Sequence, residues 1–205
     1  MKYSNKTGLP SVSDIMKPFE DTRWFKESHN TRGNIVHGWI CADLMGLFVP
    51  DIPPAYEGYI NSYMEFKPYI KKVIAIEKRF TSERGYCGQV DLAAIVDTSF
   101  LKKPIGDVVA IVDWKTSKAA YISWQARIGG YSILAKENGI LCEGGMTIRL
   151  REEPIKKGFF PLVDFYNDAE IRECEIDFLC AFRVYSNILK DGEIFASYEP
   201  YAEEY

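Results

Sequence analysis

The sequence predicts an α+β fold, written equally as α/β: a central mixed β-sheet flanked by helices and preceded by a helical N-terminal part. Three observations carry this. Up to about residue 70, apolar residues recur at helical spacing, as in Ile35, Val36, Trp39, Ile40, Leu44 and Leu47. From Val73 the pattern changes to short runs rich in β-branched residues. After Ser123, a helical stretch, two strand-like runs and another helical stretch follow in turn. No repeat, low-complexity tract or linker interrupts the chain. A single domain over 1–205 is expected, with a helical part at 1–70 and a sheet-containing part at 71–205.

Taken in order, Ser11 or Ser13 caps a short helix that runs towards Trp24, with Pro18 able to break it. Polar residues 26–33 read as a connection. Asn34 then caps a helix through about Phe48, stopped by Pro50 and Pro53-Pro54. A third helix covers 55–70, with Tyr56, Tyr59, Ile60, Tyr63 and Phe66 on one side; this stripe is core, or a base-stacking surface. Val73–Phe80, 86–96 and 107–114 read as strands. Ser123 caps a helix from Trp124 to about Asn138, which Gly139 ends. Strands near 144–150 and 158–165 follow, and Asn167 or Asp168 opens a last helix that ends at Gly192.

The chain is 47% hydrophobic, enough for a sizeable core in 205 residues. It has no apolar run of membrane length and no signal-peptide pattern at Met1-Lys2-Tyr3-Ser4-Asn5, so a cytoplasmic protein is expected. The cysteines Cys41, Cys87, Cys142, Cys174 and Cys180 form no C-x-x-C pair, which argues against a zinc ribbon and for a reducing compartment. The net charge of −4 does not favour a polyanionic partner by itself. Screening over roughly 8 Å makes local patches count for more. Such patches are Lys71-Lys72, Lys78-Arg79, Lys102-Lys103, Lys118 and Lys156-Lys157.

The most informative stretch is Ile111-Val112-Asp113-Trp114-Lys115-Thr116, which follows Gly88-Gln89-Val90-Asp91 by one strand and one loop. On a strand, residues i and i+2 share a face, so Asp113 and Lys115 project together. Glu77, Asp91 and Asp113 place an acid on each of three successive strands. Converging carboxylates repel one another unless a cation neutralises them. Mg²⁺ takes one or two carboxylates with other oxygens, and the Trp114 carbonyl lies between the two side chains as a further ligand. Lys115 can then act on an attacking water or offset phosphate charge. The alternative is that these acids sit at strand ends in water, with Asp113 and Lys115 a surface pair.

His37 lies inside a helix, where a lone histidine is more often packed than ligating. His29 sits in a polar loop and offers no case for a ligand role. Arg127 and Tyr131 share a helix face, and Gln125 does not. That pair clamps a phosphate, packs under the acids, or is an exposed arginine beside a half-buried tyrosine. Gly85 and Gly88 flank Tyr86-Cys87, where glycine marks a turn, a bulge or a close approach.

On these residues the chain resembles the PD-(D/E)xK nuclease superfamily, in its RecB-like and phage exonuclease branch. Ser11-Val12-Ser13-Asp14-Ile15-Met16 looks like the family's opening helix, and Arg32-Gly33-Asn34-Ile35-Val36-His37 like its histidine motif. Glu77 stands at the acidic position of its first strand. Gly88-Gln89-Val90-Asp91 and Val112-Asp113-Trp114-Lys115-Thr116 look like its two core motifs. The resemblance runs from about Ser11 to Tyr131.

The resemblance implies a restriction-endonuclease-like core and a Mg²⁺- or Mn²⁺-dependent deoxyribonuclease, on the exonuclease side, in recombination, repair or phage DNA processing. It implies that Asp91 and Asp113 bind one or two ions and that His37 completes the shell, to which the Trp114 carbonyl noted above would add a ligand. Lys115 would act on the nucleophilic water, with Glu77 assisting. Arg127, Tyr131, Gln125 and Thr116 would contact DNA. The family often carries glutamine four residues before its helix tyrosine; Arg127 stands there in this chain. Iron–sulfur cysteines and a G-x-x-x-x-G-K-[ST] segment for ATP have no counterpart. Implied partners are DNA ends and a recombination or single-strand-annealing protein, without a membrane, in a bacterial cytoplasm and from a phage gene. A non-cleaving DNA-binding module and a structure-specific endonuclease are the competing readings.

Overall fold

The computed structural model describes residues 8–20, 26–156 and 158–189. The expectations that fall on Trp24, Lys157 and Gly192 lie outside the described residues. The elements are α1 (Val12–Met16), α2 (Glu27–Leu44), α3 (Glu57–Phe66), β1 (Ile70–Thr81), β2 (Cys87–Asp97) and β3 (Asp107–Lys115). After them come α4 (Ser123–Glu137), β4 (Gly144–Arg149), β5 (Leu162–Tyr166) and α5 (Asp168–Val184). The five strands form one mixed sheet in sequence order. All neighbours are antiparallel except β3 and β4, which run parallel and are joined by α4. A parallel pair needs such a crossover, whereas short turns suffice elsewhere.

The alternation of strand residues builds two cores, one on each face of the sheet. Val12, Ile15, Val90, Ile111, Ile128, Leu134 and Phe178 pack where α1, α4 and α5 cover one face. Val36, Ile40, Tyr63, Phe66, Leu92, Val112, Trp114 and Ile148 pack under α2 and α3 on the other. Tyr59, Tyr63 and Phe66 are buried, so the aromatic stripe of α3 belongs to the core. Helices α4 and α5 approach closely: a Cβ at Gly129 would stand 2.0 Å from the Cys174 carbonyl oxygen.

Several boundaries differ from expectation. Helix α2 begins at Glu27, well before Asn34, because its first two turns carry polar side chains on every face and leave no apolar period to read. It stops at Leu44 rather than Phe48, since Gly46 takes a φ of 66° and Phe48 turns outward. The first helix is capped by Ser11, whose hydroxyl accepts from the Asp14 N–H while the Asp14 carboxylate accepts from the Ser11 N–H. Ser123 is helical and caps nothing; its hydroxyl donates to Glu20 at 2.7 Å. Helix α3 is shorter than 55–70 because Pro54 and Pro68 confine its ends to single tight turns. Asn167 caps α5 as expected, with Glu170 completing the box. Among the described residues no helix is long and apolar enough to cross a membrane.

Candidate metal centre

The sheet opens into a fork. Pairing between β2 and β3 begins at Leu92↔Val112. On the side of the fork that leads away from that pair, β2 continues only against β1, to Thr81↔Cys87. The end of β3 continues only against β4, to Lys115↔Arg149. Asp91 and Asp113 are the first residues past the last shared pair, so both acids stand at the crotch. There the Asp91 carboxylate replaces the missing ladder partner: its Oδ2 accepts the Trp114 N–H at 3.0 Å.

Three further side chains converge on this point. The Trp114 indole is buried edge-on against Tyr63 and Phe66, with ring centres 5.8 and 5.9 Å away, which fixes the backbone on either side of it. From α2, His37 Nε2 donates to the Trp114 carbonyl oxygen at 3.0 Å. Its Nδ1 lies 3.4 Å from Asp91 Oδ2 and 4.0 Å from Glu77 Oε1. One ligand atom from each of His37, Glu77 and Asp91 lies within 4.8 Å of the others.

Glu77 reaches the group by an irregular path. Its φ is 46°, the left-handed region that β-strand residues with a Cβ rarely adopt. Strand β1 is also shifted in register between Ile70 and Lys72 and between Val73 and Ala75. The Glu77 carboxylate is held by a hydrogen bond from the Gln89 amide. Strain of this kind persists where surrounding contacts over-determine it, and it clusters at functional sites.

The charges are tuned against one another. Burial works to lower the His37 pKa, but the charge and hydrogen bond of Asp91 outweigh it and hold the imidazole above its ordinary value. Asp91 is held below the carboxylate range: burial opposes this, and His37, Lys115 and the Trp114 N–H overcome it. Burial, with the charge of Asp91 added, pushes Glu77 up. Burial also pushes Asp113 up, against the pull of Lys115.

Asp113 lies outside the 4.8 Å group formed by His37, Glu77 and Asp91. The Lys115 ammonium stands 2.5 Å from its buried Oδ2. An acceptor so placed, beside an imidazole, two further carboxylates and a carbonyl, is the donor set of a hard divalent cation that tolerates one nitrogen. The residues present therefore fit a divalent cation. Glu77 stands inside the donor group, where the resemblance implies that it assists with a second metal or with water.

A cleft of about 740 Å³ opens over the group, lined by His37, Asp91, Asp113, Lys115, Thr116 and Tyr131 among others. Thr116 accepts from Arg32 Nε at 3.3 Å. Arg127 lines the cleft, but its guanidinium is already engaged as a fork on Glu20, at 2.9 and 2.7 Å. Burial pushes the Tyr131 phenol up, and the Asp113 carboxylate adds to this. Gln125 is not brought to the site: it lies on the other side of α4, where its amide donates to Asp177 at 2.9 Å. Its spacing from Arg127 had already put it on a different helix face.

Sequence reasoning missed Glu20, which no periodicity marks. It read His29 as a loop residue, whereas His29 belongs to α2 and lines the cleft, and it missed Trp124, whose ring lies beneath the Lys115 ammonium at 5.7 Å. Apolar spacing could not reveal Glu20 or His29, because neither is apolar.

The chain matches no protein-family model and no curated protein. Among solved structures it is similar to the crystal structure of LHK-Exo in complex with dAMP, with TM-score 0.39 and 12% identity, covering 92% of this chain and 93% of that one. It is also similar to the crystal structure of SSO0001, with TM-score 0.34 and 13% identity, covering 92% of this chain and 87% of that one.

Proposed function

We propose that this protein is a divalent-metal-dependent deoxyribonuclease of the PD-(D/E)xK type that hydrolyses phosphodiester bonds, acting as an exonuclease at DNA ends. The observation that carries the reading is the fork itself. Two strands part at Asp91 and Asp113, and an imidazole, three carboxylates, a carbonyl and one ammonium are gathered in the gap. Such a concentration of like charge serves no packing purpose and weakens binding to phosphates unless a cation joins it.

His37, Glu77, Asp91 and the Trp114 carbonyl oxygen would hold the ion, with Asp113 joining once its oxygen is released from Lys115. The bound cation supplies Lewis-acid polarisation of the phosphate and offsets charge on the leaving oxygen. Lys115 donates hydrogen bonds towards the attacking water and the developing phosphate charge. Asp91 keeps His37 oriented, and Trp114 locks the strand end. Arg127 holds α4 against the chain segment of Glu20 and so shapes the cleft wall.

Incubating the purified protein with end-labelled linear DNA and Mg²⁺ or Mn²⁺ tests the reading. Release of nucleotides that stops with EDTA and in Asp113→Ala is expected. Intact DNA across metals and pH, with retained binding, would instead favour a non-cleaving module. Opening of a closed circle would favour an endonuclease.

A further inference from the structure

The cleft carries an aromatic feature that the metal chemistry does not use. Between β3 and α4 the chain turns through Tyr121, and the Tyr121 and Trp124 rings meet at 5.4 Å between centres. Both line the cleft that holds Asp91, Asp113 and Lys115. Neither belongs to either apolar core. Trp124 is 6% exposed and Tyr121 is 39% exposed, so the pair runs from a buried inner ring to an open outer one. The inner ring faces the Lys115 ammonium at 5.7 Å. Lys118 and Arg32 line the same cleft.

A large aromatic ring that stabilises no core and lies half in water beside a phosphate-directed lysine has one evident use. It offers a π-face to a planar heterocycle while the cations take the backbone. We infer that Tyr121, backed by Trp124, is a ledge on which the nucleobase adjoining the scissile phosphate stacks. The inference rests on the nuclease reading of the neighbouring acids. It adds a substrate feature: recognition of an unpaired base at the strand end, independent of its identity, because every base presents a π-face. Duplex ends must then fray by a base before the ledge is filled.

The test is a binding measurement without turnover, in Ca²⁺. The probes are a labelled single-stranded oligodeoxythymidylate and the same strand with abasic sites at its terminal positions. The intact protein should bind the abasic strand roughly tenfold more weakly. Tyr121→Ala should bind the normal strand with the same loss and no longer distinguish the two strands, while Tyr121→Phe keeps the discrimination. Far-UV circular dichroism checks that the variants fold. If Tyr121→Ala still prefers the strand with bases, the ledge is overturned, even where Mg²⁺-dependent cleavage is intact. Base-sensitive binding with no cleavage under any metal overturns the nuclease reading and leaves the ledge standing. No binding to either strand overturns both.

Discussion

The Nε2 of His37 donates to the carbonyl oxygen of Trp114 across 3.0 Å, tying α2 to the open end of β3. A carbonyl can only accept, so this ring nitrogen carries the proton. The other nitrogen faces Asp91 Oδ2 at 3.4 Å, where a bare lone pair would meet a carboxylate. Geometry and charge both favour the imidazolium, in keeping with the raised pKa. A metal ion bound by His37 must displace a proton and compete for the same carbonyl.

Divalent-metal affinity should therefore rise with pH as His37 loses its proton, at a pH above the ordinary imidazole range. Titration calorimetry with Mn²⁺ at several pH values measures this, and His37→Ala should flatten the dependence. In the metal-free protein the stability contribution has the opposite sense. His37, with its raised value, stabilises fully below the ordinary imidazole range and ceases to do so as pH climbs through the raised value. Asp91, with its lowered value, stabilises above the ordinary carboxylate range and is lost as pH falls through the lowered one. Chemical denaturation should accordingly peak between those two limits.

Asp113→Asn and Lys115→Ala should each lower cleavage by about 10²–10³-fold or more, the scale of removing one group aimed at transition-state charge. Single-turnover rates on linear DNA measure it. Lys115→Arg should not restore the rate, because the planar guanidinium cannot take the position of a compact ammonium 2.5 Å from Asp113. Full activity in any of the three would remove the ion pair from the mechanism.

Glu77→Gly should stabilise the metal-free protein by about 1 kcal/mol while abolishing metal-dependent activity. Glycine tolerates the φ of 46°, and the change also removes the repulsion between Glu77 and Asp91. Urea melts in EDTA, read beside nuclease assays, decide the matter. A loss of stability would mean that the Gln89 hydrogen bond outweighs the strain.

Glu20→Ala should cost about 2–4 kcal/mol, since it leaves a largely buried guanidinium without its carboxylate and with the Ser13 hydroxyl, at 3.3 Å, as a neutral acceptor. The double variant with Arg127→Ala should recover part of this, a coupling of about 1–3 kcal/mol by double-mutant cycle. Gln125→Ala, by contrast, should leave turnover unchanged, because its amide serves the α4–α5 contact with Asp177. A turnover defect in that variant would return the residue to the substrate contacts.

The existence of the strands was legible in the chain because period-two alternation and β-branched runs act locally: β2 and β3 fall within a residue or so of where Val90, Leu92, Val108 and Val112 place them. The start of α2 was not, because a helix whose first turns face water and a cleft has no apolar stripe. The acids at 77, 91 and 113, the lysine at 115 and the histidine at 37 could be picked out by residue type and order. Their division of labour could not be.

The amino-acid sequence by itself determined which residues lie on strands and helices and which faces they present, since these follow from backbone geometry a few residues at a time. Only the tertiary structure decided that β2 and β3 part at Asp91 and Asp113, that a left-handed kink brings Glu77 beside His37, that Asp113 turns to Lys115, and that Glu20 occupies Arg127. The reason is physical. Such distances depend on sheet register, on how two cores pack against opposite faces, and on how buried charges find partners, and these are set by contacts between residues far apart in the chain.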